Sequence, residues 1–172
     1  MDLTIAQALE RGVTAHKEGK LQEAEKLYRA ILQSQPQHPD ANHNLGVLAV
    51  GVGKVEGAIP HFKAALAANA KMEQYWLSYI DALIKLNQMD TAKAVLEQAR
   101  AQGVWDERFD NLAVKQDEMA KDKERELNEG LQTQCSKLLE YYKNRRYADA
   151  EELAFSISQK LPNNPFPWKV AR

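Results

Sequence analysis

The chain has 172 residues, 44% of them hydrophobic and 27% charged, so it can bury a core and fold as an ordinary globular protein. Its formal net charge of -1 gives no electrostatic reason to expect nucleic acid or an anionic membrane as a partner. The single cysteine, Cys135, excludes an internal disulfide and is typical of a reducing compartment, so we expect a cytoplasmic protein.

The first predicted elements are two amphipathic helices. The segment IAQALERGVTAHKEG places apolar and small residues on one helical stripe, and LQEAEKLYRAILQ does the same. Gly19 lies between them and can supply the positive φ that ends a helix. A pair of such helices cannot bury its apolar faces alone, so we expect it to stack on a following pair.

The pattern of this first helix pair recurs along the chain. Ala24 is followed by Ala58 and Ala92, and the two differences in sequence number, 58 - 24 and 92 - 58, are equal at 34. Three other columns keep the same spacing: a small residue, a turn residue and a large apolar residue, namely Gly12 and Gly46, then Gly19, Gly53 and Asn87, then Tyr28, Phe62 and Leu96. A fixed period of this length is the mark of a repeat protein.

On these residues the chain resembles the tetratricopeptide repeat family, whose unit is a helix-turn-helix with the same period. When the recurrent alanine is numbered place 20, the repeats span 5–38, 39–72 and 73–106. Leu45 and Gly46 at places 7 and 8, Trp76 at place 4 and Pro36 at place 32 match the family motif. Ile80 departs from it at place 8, which predicts a looser or shifted helix contact. The resemblance implies an all-α, right-handed superhelical array of antiparallel helix pairs.

Residues 107–130 interrupt the period. Thirteen of these 24 residues are charged, and the segment has no proline, which favours a charged helical insert over a flexible linker. We predict a long helix from about Asp117 to Lys143. The insert either changes the path of the array or serves as a hinge or docking surface.

A fourth repeat is predicted after the insert, at 131–164, with Ala150 at place 20. Residues 165–172 then resemble the start of a fifth repeat that the sequence does not complete. The sequence LPNNPFPWKV also resembles repeat regions that precede transferase domains in bacterial multidomain proteins. We therefore expect this chain to be part of a larger array or a larger protein.

The resemblance also implies where a ligand binds. In this family the first helices line the concave side of the array, and places 2, 5, 6, 9, 12 and 13 contact a bound peptide. The candidate peptide-binding residues at these places are His16, Lys17, His43, Asn44, Gln74, Ser78, Asp81, Lys85, Tyr142 and Lys143. The lysines that recur at place 13 could pair with carboxylates of a peptide. The alternative is that all of these are ordinary solvated helix residues.

Two subtypes of the family's peptide recognition are not expected. Asn44 matches a place-6 asparagine that recurs in the repeats of O-linked N-acetylglucosamine transferase, but the other repeats carry Glu10, Ser78 and Ser136, so there is no asparagine ladder. The set of lysine, arginine and asparagine that clamps the carboxylates of a chaperone C-terminus is also not reproduced. Chaperone-tail recognition of that type is therefore not predicted.

The sequence offers little for catalysis. His16 and His43 have no third metal ligand at a suitable spacing, and Cys135 has no base with which to act as a nucleophile. The glycines from Gly46 to Gly57 follow the repeat and not a phosphate-binding loop. We expect no enzyme activity, no metal and no cofactor.

The favoured function is a scaffold or adaptor that binds a peptide or protein segment in its concave groove. One alternative is a regulatory or substrate-presenting region of a larger transferase of the glycosyltransferase or sulfotransferase type. The other is self-association through the C-terminal face, where Phe166 and Trp168 would expose apolar surface. Neither nucleic acid nor a membrane is expected as a partner, since no apolar run is long enough to span a bilayer.

Overall fold

A computed structural model describes residues 3–160 of the chain. Within that range the backbone forms helices joined by short turns and contains no strand, which confirms the predicted all-α fold. The proposed start of a fifth repeat, 165–172, and the self-association residues Phe166 and Trp168 lie outside the described residues. In chain order the helices are α1 (Ile5–Lys17), α2 (Leu21–Ser34), α3 (Pro39–Gly51), α4 (Val55–Ala68), α5 (Glu73–Lys85), α6 (Met89–Ala101), α7 (Glu107–Lys143) and α8 (Tyr147–Lys160).

The first helices of the pairs keep the period of the sequence. α1, α3 and α5 begin at Ile5, Pro39 and Glu73, one full period apart in each case. α7 begins at Glu107, again one period after Glu73, and not near Asp117 as the charge pattern predicted. The earlier start has a packing reason, because Phe109 is fully buried in the same apolar cluster as residues of α5 and α6.

Small residues let the two helices of a pair approach closely. A Cβ added at Gly12 would lie 2.7 Å from the ring of Tyr28, and one added at Gly46 would lie 2.7 Å from the ring of Phe62. In the third pair the larger Ile80 stands at place 8, and Leu96 stands at place 24 instead of an aromatic residue. Both Ile80 and Leu96 are buried in one apolar cluster.

The turns within the pairs depend on a left-handed residue at place 15. Gly19, Gly53 and Asn87 have φ values of 76°, 78° and 57°. Each is followed by a backbone N–H that donates back to the last turn of the helix, as in the bond of 2.8 Å from Lys20 N to Ala15 O. This is the C-terminal motif that ends a helix on a residue tolerant of positive φ.

The described residues divide into two compact bodies, with the boundary between Asp117 and Glu118. The N-terminal body contains α1 to α6 and the first turns of α7. In the C-terminal body the end of α7 packs on α8, with Leu138, Ala150 and Ala154 fully buried and a left-handed residue, Arg145, between the helices. No helix in the range 3–160 is long and apolar enough to cross a bilayer.

Candidate functional site

A buried polar contact joins α3 to α5. His43 is 8% exposed and stacks on Tyr75, with ring centroids 4.8 Å apart. Its Nε2 lies 2.9 Å from the Oγ of Ser78, and the hydroxyl of Tyr75 donates to Oδ1 of Asp40. Burial lowers the pKa of His43, against smaller opposing effects that include the nearby carboxylate of Asp40. The lowered pKa favours the neutral form of His43, whose ring contacts both Ser78 and Tyr75.

The accessible part of this region lies on α5. Ser78 is partly exposed, and its Oγ accepts a hydrogen bond of 3.3 Å from Nε2 of Gln74. One turn further, the carboxylate of Asp81 lies 2.7 Å from the ammonium group of Lys85 and 3.4 Å from that of Lys115. Polar groups thus follow α5 from its first turn to its last.

Gln74, Ser78 and Asp81 lie in one wall of a cavity of about 490 Å³ within the N-terminal body. The other wall is the start of α7. Four residues come from each helix: Gln74, Leu77, Ser78 and Asp81 from α5, and Arg108, Asn111, Leu112 and Lys115 from α7. In the repeat numbering both sets are places 2, 5, 6 and 9, so two successive first helices face each other across the cavity.

The α7 wall is anchored at its first turn by Arg108. Its guanidinium bonds the carboxylates of Glu73, on α5, and Asp106, immediately before α7. The hydrogen bond from the Arg108 guanidinium is the main cause that lowers the pKa of Asp106. Arg108 remains half exposed, so it faces the cavity while its position is set by two neighbours.

The structure brings together only some of the residues predicted from the sequence. His43, Ser78 and Gln74 are joined by hydrogen bonds between α3 and α5, and Asp81 and Lys85 form a separate ion pair further along α5. Asn44 is partly exposed on α3.

The remaining predicted residues lie elsewhere. His16 is half-buried on α1 with its ring edge toward Tyr28, and Lys17 is exposed at the last residue of α1. Tyr142 and Lys143 belong to the C-terminal body, where Tyr142 packs edge-on against Tyr147. The eight candidate residues of the N-terminal body are thus spread over α1, α3 and α5, and the other two belong to the C-terminal body.

Sequence reasoning missed the α7 wall of the cavity. Arg108, Asn111, Leu112 and Lys115 fell within the segment interpreted as a charged insert. The signal that could have identified them is the period itself, because each lies one full repeat after its counterpart on α5. No cluster of three or more metal-ligating side chains occurs within residues 3–160.

Comparison with known proteins places the cavity within recognised repeat sequence. Residues 49–115 match the family described as tetratricopeptide repeat, and the match ends at Lys115, the last residue that lines the cavity. Among curated proteins, no sequence match was found. The family resemblance predicted from the sequence is therefore confirmed by the repeats that contain the site.

Solved structures share the fold at low sequence identity. The first tetratricopeptide repeat domain of human RPAP3 is 21% identical, with a TM-score of 0.63, and the match covers 70% of this chain and 95% of that one. The first such domain of Spaghetti (RPAP3), bound to the HSP90 peptide SRMEEVD, is 20% identical, with a TM-score of 0.62 and coverage of 68% and 93%. A tetratricopeptide repeat protein from Parabacteroides merdae is 15% identical, with a TM-score of 0.63, and covers 97% of this chain and 56% of its own.

Proposed function

We propose that this chain binds an extended peptide segment in the cavity between α5 and α7. The premise is that the chain has the tetratricopeptide repeat fold and that its residues 49–115 match that family. The fold supports a protein-interaction scaffold in general. One relative in fold has been solved with a bound peptide, which supports a peptide or protein partner here.

One observation carries the proposal. The cavity is lined by places 2, 5, 6 and 9 from two consecutive first helices, and by no residue from a second helix of a pair. Four of its eight residues offer amide, hydroxyl or guanidinium groups suited to hydrogen bonding with a peptide backbone: Gln74, Ser78, Arg108 and Asn111. Two leucines, Leu77 and Leu112, provide apolar surface for a side chain of the ligand.

A peptide library displayed on phage, selected on the purified chain, tests the proposal. Asn111→Trp fills the cavity with a bulky neutral side chain at an exposed position whose amide bonds no other side chain within residues 3–160. We expect selected peptides to bind the parent chain and to lose about tenfold or more in affinity for this variant.

The matched control is Asn128→Trp, the same change on the same helix at an exposed position outside the cavity. It should leave binding unchanged, and circular dichroism should show that both variants stay helical. Failure to select any peptide, or equal loss with both tryptophan variants, would contradict binding in this cavity.

A further inference from the structure

The charges at one end of the cavity are not balanced. The carboxylate of Asp81 lies between two ammonium groups, those of Lys85 and Lys115. One negative charge against two positive charges leaves an excess of one positive charge. The side chains are 32%, 46% and 49% exposed, so a ligand can reach all three and water screens their interactions.

The other end of the cavity has no such excess. Arg108 bonds two carboxylates, those of Glu73 and Asp106, so its positive charge is already offset there. The guanidinium has five N–H donors, and those not used by these carboxylates remain able to bond a peptide carbonyl. The cavity therefore attracts an anionic group only toward its Asp81 end.

The apolar part of the cavity lies about one helical turn from Lys115. Leu112 precedes Lys115 by three residues, which is about 4.5 Å along a helix. An extended peptide advances about 3.3 Å per residue. An aliphatic side chain on the leucines and an acidic side chain at the lysines would therefore come from ligand residues one or two positions apart.

We infer that the ligand is a peptide segment with an aliphatic residue one or two positions from an acidic one, and that Asp81 competes with the ligand's carboxylate for Lys85 and Lys115. The inference rests on the proposed function. In the free chain Asp81 occupies the anion position. When the peptide binds, its carboxylate takes over the ammonium groups that Asp81 holds.

The sign of one substitution decides between an acidic and a basic ligand. Asp81→Asn keeps the size of the side chain and removes the competing charge. A fluorescein-labelled Gly-Ser peptide with a central Leu-Gly-Glu should bind this variant about two- to fivefold more tightly than it binds the parent, by fluorescence polarisation at low salt. Lys115→Gln should weaken the same probe by a similar factor.

Two control variants change the same charges on α6, away from the cavity: Glu97→Gln and Lys93→Gln, both at exposed positions. Neither should change the affinity of the probe. Probes with Leu-Gly-Gln and Leu-Gly-Lys in the same background should bind the parent more weakly than the acidic probe does, and added salt should reduce the difference.

The outcomes separate this inference from the proposed function. If peptides selected from the library bind and are blocked by Asn111→Trp, but Asp81→Asn weakens them or the acidic probe has no advantage, only the acidic-ligand inference is overturned. If no peptide is selected at all, both fail. Tighter binding of the acidic probe to Asp81→Asn, with no change in the α6 controls, supports the inference.

Discussion

The ends of α1, α3 and α5 differ from the middle of α7 at the same position of the repeat. The first three helices stop at a left-handed residue, Gly19, Gly53 or Asn87. The residue one period after Asn87 is Lys121, and there α7 continues without a turn. The comparison shows what a helix pair requires beyond its period, because the start of α7 keeps the register but does not fold back.

Two further columns explain why α7 runs on. Place 20, which holds a fully buried alanine in each of the first three repeats, would be Glu126. Place 24, which holds Tyr28, Phe62 or Leu96, would be Gly130. A second helix with these residues has no apolar face to pack against α7. All residues from 121 to 130 are accordingly exposed, so within residues 3–160 this segment has little tertiary packing and depends mainly on local helical interactions.

The largest expected effect is a difference in unfolding free energy between substitutions in the two bodies. Phe62 is 1% exposed in the N-terminal body, while Phe155 is 55% exposed on α8 of the C-terminal body. Phe62→Ala should lower the free energy of unfolding by about 3–5 kcal/mol, because it leaves a cavity where the second pair crosses. Phe155→Ala should cost less than about 1 kcal/mol. Urea unfolding followed by circular dichroism checks both, and equal losses would refute the burial difference.

The next largest effect on stability comes from the close approach of α3 and α4. Gly46→Ala places a methyl group against the ring of Phe62, so we expect a loss of about 1–3 kcal/mol through overpacking. Gly51→Ala is the matched control, since it lies on the same helix and a Cβ there meets nothing within 4 Å. It should be neutral or stabilising. If both changes have the same effect in urea unfolding, the small residue at place 8 is not needed for packing.

The need for a left-handed turn residue at place 15 can be tested at Asn87 and at Lys121, one period later. Asn87 has a φ of 57°, so Asn87→Ala should cost about 1–2 kcal/mol, the usual penalty for an ordinary residue in the left-handed region. Lys121→Ala removes a side chain from a continuous helix and should change stability by less than about 0.5 kcal/mol. Asn87→Gly should be tolerated. A loss as large at Lys121 as at Asn87 would show that α7 bends where the structure has it continuous.

Between about pH 7.5 and pH 5.5 the histidine contribution to stability should arise in the N-terminal body, since all four histidines of the chain precede residue 118. Burial lowers the pKa of His43 and His61 from the ordinary value of 6.5, and Arg29 adds to the effect at His61. The unfolded chain therefore binds protons at a higher pH than the folded chain. The stability from these residues is complete above the ordinary pKa and falls as the pH drops toward the folded values.

Unfolding by urea at about pH 7.5 and about pH 5.5 measures this effect. We expect a lower free energy of unfolding at the acidic pH, and a smaller difference between the two conditions in His43→Gln than in the parent. The carboxylate of Asp40 opposes the lowering at His43, so Asp40→Asn should enlarge the difference. An identical pH dependence in the parent and in His43→Gln would contradict a buried neutral histidine at this position.

The all-α fold of helix pairs could be predicted from the sequence because its determinants in the first three pairs are local. Ala24, Ala58 and Ala92 mark the second helices, and Gly19, Gly53 and Asn87 mark the turns. The start of α7 was missed because its charges obscured one buried residue, Phe109, that continues the period.

The same error hid half of the candidate site. The period could have marked Arg108 and Lys115 as counterparts of Gln74 and Asp81, but only the structure shows that α7 faces α5 across a cavity. His43 illustrates a different limit. Its place in the repeat predicted an accessible polar side chain, but the stacking with Tyr75 that buries it depends on how α5 packs against α3. Long-range packing of this kind is not encoded in the helical period of either segment.

The smallest predicted effect is a gain in helix stability in the exposed part of α7. Gly130 lies inside this helix, and a Cβ added there meets no atom within 4 Å. Gly130→Ala should therefore favour the helix by about 0.5–1 kcal/mol, because alanine loses less conformational entropy than glycine and meets no steric barrier. Hydrogen exchange of residues 121–130 should slow by about two- to fivefold.

The control for this prediction is Gly57→Ala, which makes the same change at an open position of α4 and should leave exchange at 121–130 as it is. If Gly130→Ala leaves that exchange unchanged, intrinsic helix propensity does not limit the opening of the segment. In that case contacts with other residues would have to limit the opening of this segment. If exchange slows as expected, the segment that fails to form a turn is also the part of α7 with the least tertiary support, which follows from the missing apolar places at Glu126 and Gly130.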